Sequence, residues 1–582
     1  GVDVMGVLNK KRASFRLGHA SPNQNWAWVV AAVGVLAVLT PLRGAIIPDD
    51  RRITWVPGVP GGIPSRPVIF SNVKNAPYGA KGDGVADDTA AIQNALRDCP
   101  SNLVVYLPAG TYRINSVITL NGAKTLRGAG PSRTVLRYQG TNDTQILAIR
   151  NNTLIPFSVD MLSGYTKGST NVVLADASGL APGNTVLLDQ LNDGTFVNKD
   201  GLQGCDYCSR EDGNRALGQL SRVTARNGNE ISFQPALYWT YAGELRPQVS
   251  RLDLTTSLTG IEDLKLVNAS GAADYNILME SAGSCWLKNI ESANCQRRHV
   301  WTYYALQCEI RDCYFHDGQS SFGPDHGYGV LLGNHSAANL VENNIFASLH
   351  VAMQNDSGSS GNVWGYNFVT NVLYIDPQWL QPDCSTHGAH PMMNLWEGNW
   401  LYKIYTDWIH GSASHNTYFR NYAAGWQAGN VYGNNAFGAE KQNTYMNVVG
   451  NVFGTLGKSD TYELFRITRY NTEITIFELG YTSIGSSGPD GDGNVEDTLL
   501  RHGNFDYVHR ETLWDPNIAE RNLPASLYLS ARPRWWGSLP WPVIGPDLNP
   551  IVSSLPARER FAAILSGVVR PSPPQNLRVV AP

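Results

Sequence analysis

Six segments of this chain share a final aromatic residue and decide its fold: IRDCYF (310–315), VENNIF (341–346), VWGYNF (363–368), LWEGNW (395–400), TYFRNY (417–422) and VVGNVF (448–453). The steps between their final aromatics are 31, 22, 32, 22 and 31 residues. A repeat of about 22 residues, sometimes enlarged by a loop, is typical of a solenoid whose coils bury their faces against neighbouring coils. The repeats therefore predict an all-β solenoid of parallel coils.

Asparagine precedes the final aromatic in three of these segments, at Asn367, Asn399 and Asn421. Stacked coils lie about 4.8 Å apart, so the three side-chain amides are expected to form a ladder in which each bonds the next. We interpret them as structural residues. Cys285 and Cys308 are 23 residues apart at a shared offset, which predicts adjacent coils and thiols that are either bridged or simply stacked.

The region before the repeats contains YGAKGDGVADDTAAIQNAL (78–96), VVYLPAGTYRI (104–114) and LRGAG (126–130). These segments resemble the N-terminal part of the pectate-lyase superfamily domain, also described as rhamnogalacturonase/epimerase-like. The resemblance implies a right-handed parallel β-helix whose open end is covered by an N-terminal cap helix. It implies no particular chemistry, because that domain occurs in lyases, hydrolases, epimerases and phage tailspikes.

The changes in sequence texture predict six parts: a signal peptide or membrane anchor (1–45), the cap and first coils (46–155), an inserted small antiparallel β-domain (156–245), the coils with the site (246–515), a C-terminal tail (516–570) and the start of a truncated fibronectin type III-like module or a linker (571–582). Basic residues before the apolar run 26–39 predict export, to a secreted or cell-surface location, without stable membrane insertion after signal removal. Cys205 and Cys208 predict a local disulfide or free thiols, since no second pair stands nearby to complete a zinc site. The tail is expected to close the C-terminal end of the solenoid and to lie along its side.

Composition restricts the function classes. The chain has 42% hydrophobic and 16% charged residues, which excludes intrinsic disorder. Its formal net charge of -4 gives no basic excess, so nucleic acid is not expected as a partner. A local concentration of charged and imidazole side chains therefore stands out, and its members are His387, His390, Glu397, Asp407, His410, His415 and Arg420.

The coil spacing converts part of this cluster into columns. Offsets measured back from the aligned aromatics predict one column on the side of the solenoid that contains Asp356, His387, His410 and Lys441. Glu397 and Arg420 are 23 residues apart and are expected as neighbours on a second column.

A parallel β-helix presents a long groove suited to an extended polymer. For β-elimination from a uronate, His387 or His410 is the expected base and Arg420 or Lys441 the neutraliser of the substrate carboxylate. For hydrolysis, the available carboxylates are Glu397, Asp407 and Asp356. The residues expected to contact the substrate are Asp356, His390, His415, Trp426 and Lys441.

The sequence thus predicts an exported enzyme that cleaves an extended, uronate-containing polysaccharide. Lyase chemistry is favoured because the cluster offers several imidazoles and an arginine beside few carboxylate pairs. A β-helix glycoside hydrolase and a non-catalytic glycan-binding surface stalk are the alternatives. No cofactor is required by this prediction; Ca²⁺ or another divalent ion is compatible with it, and the oligomeric state is left open.

Overall fold

The structure is a computed structural model that describes residues 45–150, 154–253, 256–318, 322–465, 471–482 and 491–567, with the backbone of 578–579. The predicted signal or anchor, up to residue 44, lies outside the described residues, as does most of the fibronectin-like segment 571–582. In the described ranges, no helix combines the length and the apolar character needed to cross a membrane.

Strands dominate the regular structure. Those of the first coils are β1 Val68–Asn72, β2 Asp83–Asp87, β3 Val104–Leu107, β4 Gly110–Ile114, β5 Ile118–Leu120, β6 Thr125–Gly128, β7 Thr134–Tyr138 and β8 Gln145–Arg150. Those of the insertion are β9 Leu154–Ser163, β10 Asn171–Leu174, β11 Thr185–Asp189, β12 Gly218–Asn227, β13 Glu230–Gln234 and β14 Gln248–Asp253.

The later coils contain β15 Thr256–Ser257, β16 Gly260–Asn268, β17 Tyr275–Glu280, β18 Ala282–Gly283, β19 Trp286–Cys295, β20 Arg298–Tyr303, β21 Glu309–Arg311, β22 Tyr314–Gly318, β23 Tyr328–Gly333, β24 Leu340–Glu342, β25 Ile345–Leu349, β26 Met353–Asp356, β27 Val363–Gly365, β28 Phe368–Val372, β29 Cys384–His387, β30 Leu395–Glu397, β31 Trp400–Leu401, β32 Ile404–Thr406, β33 Thr417–Phe419, β34 Tyr422–Ala423, β35 Asn435–Ala439, β36 Asn447–Val449, β37 Val452–Phe453, β38 Thr461–Phe465, β39 Thr475–Leu479, β40 Leu500–His502, β41 Asn504–Asp506, β42 Glu511–Leu513 and β43 Arg578–Val579. The helices are α1 Thr89–Asp98, α2 Gly493–Thr498 and α3 Pro556–Leu565, with 3₁₀ turns at Asp49–Arg51, Asp206–Cys208, Gly243–Leu245 and Arg534–Trp536.

The coils stack as a parallel β-helix, which confirms the predicted fold class. One sheet, sheet B, has eleven strands and runs from β5 through β8, β17, β20, β23, β26, β29, β32, β35 and β39 to β38. The larger sheet A carries two parallel runs, so that a typical coil contributes two short strands to sheet A and one to sheet B. The helix α1 buries Ile92, Ala95 and Leu96 in the main core beside the first coils.

The predicted asparagine ladder is present. Asn367, Asn399 and Asn421 each donate from Nδ2 to the Oδ1 of the next ladder residue, at 3.0, 2.9 and 3.1 Å. The ladder also includes Asn344 and Asn451. They precede Ile345 and Val452, which are the residues that pair with the aligned aromatics Phe368 and Tyr422. Alignment on the aromatics was therefore wrong by one residue at these two joins. A second ladder, absent from our prediction, consists of Asn339, Asn362, Asn394 and Asn416.

The interior of the coils is apolar and tightly stacked. The rings of Trp364 and Trp396 lie parallel at 4.8 Å, which places Trp396 in the core rather than on a substrate surface. Cys285 and Cys308 are buried free thiols that stack without a bridge. Cys205 and Cys208 form a disulfide.

The insertion forms a closed antiparallel barrel with the strand order β10-β13-β12-β11-β14-β9. Its core is continuous with Ala389, Met392 and Met393 of a later coil, so the barrel packs against the middle of the solenoid. The loop between β11 and β12 extends from the barrel onto the coils, where Ser412 N donates to Asn198 O at 2.8 Å.

Both ends of the described chain run along the solenoid. In the N-terminal segment, Trp55 Nε1 donates to Met393 O at 2.7 Å and Gly58 N donates to Ala338 O at 2.8 Å. The C-terminal tail lies on the outer side of sheet A, where Tyr528 Oη donates to Glu342 at 2.7 Å. These segments cover faces of sheet A and leave sheet B to the barrel loop.

Candidate active site

Four ionisable side chains form a column on the outer face of sheet B. Asp356, which ends β26, pairs in register with His387, which ends β29. The pairings of Thr406 with its neighbours on β29 and β35 place Asp407 next to His387 and Glu440 next to Asp407. Each step along this column is one strand spacing, about 4.8 Å.

The predicted column was correct for Asp356 and His387 and wrong for the next two positions. It contained His410 and Lys441, whereas the strands place Asp407 and Glu440 there. Turn length is part of the reason: after the column position, seven residues (388–394) precede β30 and nine (408–416) precede β33. An offset measured from the following strand is therefore displaced by two residues at Asp407, and a further one-residue error in the alignment displaces both His410 and Lys441.

His387 is held between two carboxylates. Its Nδ1 donates to Asp407 Oδ2 at 2.7 Å, and its side chain is 21% exposed whereas that of Asp407 is 4% exposed. Burial alone would lower the pKa of His387, but the charge and hydrogen bond of Asp407 and the charge of Asp356 raise it to about 9. His387 is thus an imidazolium at neutral pH, and its Nε2–H has no acceptor among the described residues.

His410 has the opposite character. Its Nδ1 lies 2.7 Å from the carbonyl oxygen of Gly204, which can only accept a hydrogen bond, so Nδ1 carries the proton. In the neutral form of this ring the lone pair is therefore on Nε2, which has no partner in the described part of the chain. The His410 ring lies 5.0 Å from that of His387, edge to face.

The barrel loop adds a phenol to this pair. Tyr207 lies inside the loop that the Cys205–Cys208 disulfide closes, and its ring is 5.6 Å from that of His410. Partial burial and the charge of Asp356 and Asp407 raise the pKa of Tyr207, so it remains protonated at neutral pH. Tyr207 is nevertheless 51% exposed and can meet a ligand.

The backbone clamps this loop to the coils. Leu202 N and Gln203 N donate to Ile409 O at 2.9 and 2.8 Å, directly beside His410. Asp407 Oδ1 in turn accepts from Ile409 N at 2.9 Å. The positions of Tyr207, His410 and Asp407 are therefore coupled through one short segment of backbone.

An arginine lies beyond the Asp356 end of the column. The Arg298 guanidinium lies 5.5 to 5.8 Å from the ring centroids of Tyr275, Trp301 and Tyr328 and pairs with Asp325. Its charge acts on both Asp356 and His387. Sequence reasoning missed Arg298 and Tyr207, because they lie far along the chain from the histidine cluster and only the fold brings them to it.

The rings of His387 and Tyr207 lie 5.0 and 5.6 Å from that of His410, so that proton donors and a proton acceptor meet at one place, as general acid–base catalysis requires. Among the side chains that the structure describes, no group of three or more His, Cys, Asp or Glu residues is arranged to hold a metal ion.

Residues 70–180 match the family model described as rhamnogalacturonase A/epimerase, pectate lyase-like. The fold is similar to the tailspike gp61 of Pseudomonas phage phi297, with a TM-score of 0.51 and 14% identity over 72% of this chain and 71% of that one. The family match thus covers 111 of the 582 residues, and the similarity in fold extends over most of the chain. At this identity the tailspike similarity establishes the fold alone.

The chain is also similar in sequence to mannuronan C5-epimerase AlgE5 of Azotobacter vinelandii, 31% identical over 173 residues, or 28% of this chain and 15% of that protein. The pre-neck appendage protein of Bacillus phage phi29 is 41% identical over 61 residues, or 10% of this chain and 7% of that protein. The chain thus matches less than a sixth of the length of either relative.

Two predicted catalytic residues lie on another face of this pectate-lyase-like solenoid. Arg420 forms a two-point ion pair with Asp547 of the tail, at 2.7 and 2.8 Å, and also donates to tail carbonyls. Glu397 accepts from Tyr366 Oη and Leu527 N, both at 2.8 Å, and burial raises its pKa to about 7. Their hydrogen-bonding positions are filled by the protein, so we remove both residues from the site.

Two predicted binding histidines lie between the coils and the barrel. His390 is fully buried with Nε2 2.8 Å from Ser414 Oγ, and burial lowers its pKa to about 4. His415 is 5% exposed and stacks on Tyr445 at 4.9 Å, and burial lowers its pKa to about 3. Both are packing residues in this position, which corrects their predicted role.

Trp426 and Lys441 lie in turns of the same solenoid. The Trp426 ring is covered by Lys458, whose Nζ lies 4.7 Å from the ring centroid. Lys441 directly follows Glu440 and borders a cavity, with its Nζ 5.3 Å from the ring of Trp408.

Proposed function

We propose that this protein is an extracellular enzyme that cleaves a uronate-containing polysaccharide by β-elimination at the cluster of His387, His410 and Tyr207. The observation that carries the proposal is that two adjacent imidazoles bond different partners through Nδ1, a carboxylate for His387 and a backbone carbonyl for His410. His387 is an imidazolium fixed by Asp407, whereas His410 presents a lone pair on Nε2. A uronate lyase requires a cation and a base in this proximity.

The proposed step balances within these groups. His410 Nε2 takes the C5 proton, the electron pair of that C–H bond forms the C4–C5 double bond, and the bond from C4 to the glycosidic oxygen breaks. Tyr207 gives its phenolic proton to the departing oxygen. The Nε2–H of His387 binds the substrate carboxylate and stabilises the negative charge that develops there.

The similarity to a mannuronan C5-epimerase supports this choice of substrate class. That protein is named for a reaction at C5 of a uronate polymer, which is the carbon from which His410 would take a proton. Removal of the C5 proton is a shared first step, after which loss of the group at C4 gives elimination and return of a proton gives epimerisation.

Inverting hydrolysis is a second candidate, because two carboxylates flank His387. Asp356 and Asp407 are two strand spacings apart, about 10 Å between backbones, against roughly 6.5 to 9.5 Å between the carboxyl groups of inverting glycosidases. The column also carries more negative than positive charge, which suits a neutral sugar better than a uronate. Glu397, the third carboxylate considered for hydrolysis, is occupied by the tail.

One screen separates these reactions. Purified protein is incubated with a panel of uronate and neutral polysaccharides in deuterated buffer. Elimination produces the ultraviolet absorbance of unsaturated uronides; hydrolysis produces reducing ends without that absorbance; epimerisation produces deuterium at C5 without cleavage. The lyase proposal requires the first result and is contradicted by either of the others. A protein that binds a polymer without any of these changes would be the glycan-binding stalk.

A further inference from the structure

A separate cavity of 520 Å³ lies where the barrel loop meets the coils beyond Glu440. The loop Gly194–Asn198 forms one wall, and Lys441, Gln442 and Tyr445 form the opposite wall. The site described above does not include this cavity, and its mixture of a cation, amides and aromatic rings is the composition expected for a charged sugar.

Lys441 is the uncompensated cation of the cavity. Within the described ranges, no carboxylate lies at ion-pair distance from its Nζ. Asp492, the acidic residue that also lines the cavity, is already engaged: its Oδ1 accepts from Asn494 N at 3.1 Å and its Oδ2 accepts from Gln442 N at 2.8 Å. The Lys441 ammonium therefore remains for an anionic ligand.

The remaining lining groups fit a sugar ring. The Phe196 and Tyr445 rings contact each other at 5.7 Å, and both residues line the cavity. The side-chain oxygens of Asn198 and Gln442 accept from Gly201 N and Trp408 Nε1. In the described part of the protein, the side-chain N–H groups of these two residues have no acceptor. Aromatic faces with amide donors at their edges bind hydroxylated rings.

The cavity lies in line with the candidate active site. The column passes from His387 through Asp407 to Glu440, and Lys441 is the next residue. The distance along the solenoid axis is two coil spacings, about 10 Å. A polymer that places one sugar at His387 and follows the axis would therefore reach Lys441 with a nearby sugar.

From this arrangement we infer that the cavity is a subsite for a carboxylate-bearing sugar of the same polymer, with Lys441 binding the carboxylate. The inference rests on the proposed function, because it assumes that a polyuronate occupies the sheet B column. It assigns a role to the inserted barrel, whose loop supplies both Tyr207 at the reacting sugar and one wall of the subsite.

The test compares short and long oligouronates. Trimers and hexamers of alginate and of polygalacturonate are titrated calorimetrically into the wild-type protein, Lys441→Gln and the control Lys288→Gln, which alters an exposed lysine on sheet A. Lys441→Gln should weaken hexamer binding about tenfold, the effect of losing a charge-assisted hydrogen bond, and should weaken trimer binding less. Lys288→Gln should match the wild type.

The outcomes separate the two proposals. If the hexamer binds and is cleaved but Lys441→Gln equals the wild type, the subsite is wrong while the active site stands. If Phe196→Leu weakens binding and Lys441→Gln does not, the cavity binds a neutral sugar, which overturns the anionic assignment. If neither oligouronate binds the wild-type protein, the uronate proposal itself fails.

Discussion

Glu397 with Arg420 and His387 with Asp407 are two charged, largely buried groups of residues on successive coils, and they differ in what surrounds them. On sheet A, the tail fills the hydrogen-bonding positions of Glu397 and Arg420. On the sheet B side, no described residue hydrogen-bonds to Nε2 of His387 or His410. Buried charges hold the tail on the coils where their hydrogen bonds are all made within the protein. They indicate a candidate site where the described residues leave donors and acceptors without partners.

The largest expected effect is on the open side of this comparison. His410→Ala should reduce turnover by about 10² to 10⁴, the range for loss of a general base, with an unchanged circular dichroism spectrum. The matched control is His415→Ala, which removes a histidine that packs against Tyr445 and Trp239. The control should lower the melting temperature and retain kcat. Equal loss of kcat in both variants would mean that His410 is only a packing residue.

Loss of the Tyr207 hydroxyl should also lower turnover, but by less than loss of His410. Tyr207→Phe keeps the ring and removes the proton donor, so we expect turnover to fall by about 10² on substrates with a poor leaving group. An activated aryl glycoside of the uronate should be cleaved nearly as fast as by the wild type, because its leaving group needs no proton. If both substrates slow equally, Tyr207 positions the substrate instead.

On sheet A the expected effect is on stability alone. Arg420→Met leaves Asp547 and several tail carbonyls without their donor, and loss of such a buried partner costs about 3 kcal/mol. Urea unfolding should show this loss, and kcat per folded molecule should remain normal. A selective fall in kcat would return Arg420 to the active site.

The smallest expected effect is that of the His387–Asp407 contact on the pH dependence of stability. The pKa of His387 in the folded protein is about 9, above its ordinary 6.5, so the contact with Asp407 stabilises the fold fully below about pH 6.5 and loses this contribution as the pH rises to about 9. Unfolding free energies measured across that range should decline for the wild type and decline less for His387→Gln. Identical slopes would show that His387 is neutral in the folded state.

The sequence was informative about sheet A because the repeat there is nearly strict. Asn367, Asn399 and Asn421 revealed the ladder, since each amide must meet the next at one fixed position in the coil. Asn344 and Asn451 were missed because the aromatic residue that we used to align the coils is displaced by one position there.

The candidate site was predictable only in part. His387 and Asp356 followed from spacing, whereas Asp407 required the lengths of the turns after β29 and β32, which the repeat does not fix. Tyr207 could not be placed, because it comes from an insertion about 200 residues away; its signal was the pair of cysteines that encloses it. On the second column, Glu397 pairs with Phe419, one residue before the predicted Arg420, and the residues that cover this face could not be known without the tail.

The most direct test of this account is the charge state of the two imidazoles, measured by ¹⁵N nuclear magnetic resonance on histidine-labelled protein, with His387→Gln and His410→Gln to assign the signals. We predict that His387 remains an imidazolium until about pH 9 and that the neutral ring of His410 carries its proton on Nδ1. A neutral His387 at pH 7, or a neutral His410 protonated on Nε2, would contradict the division of charge on which the proposed chemistry depends.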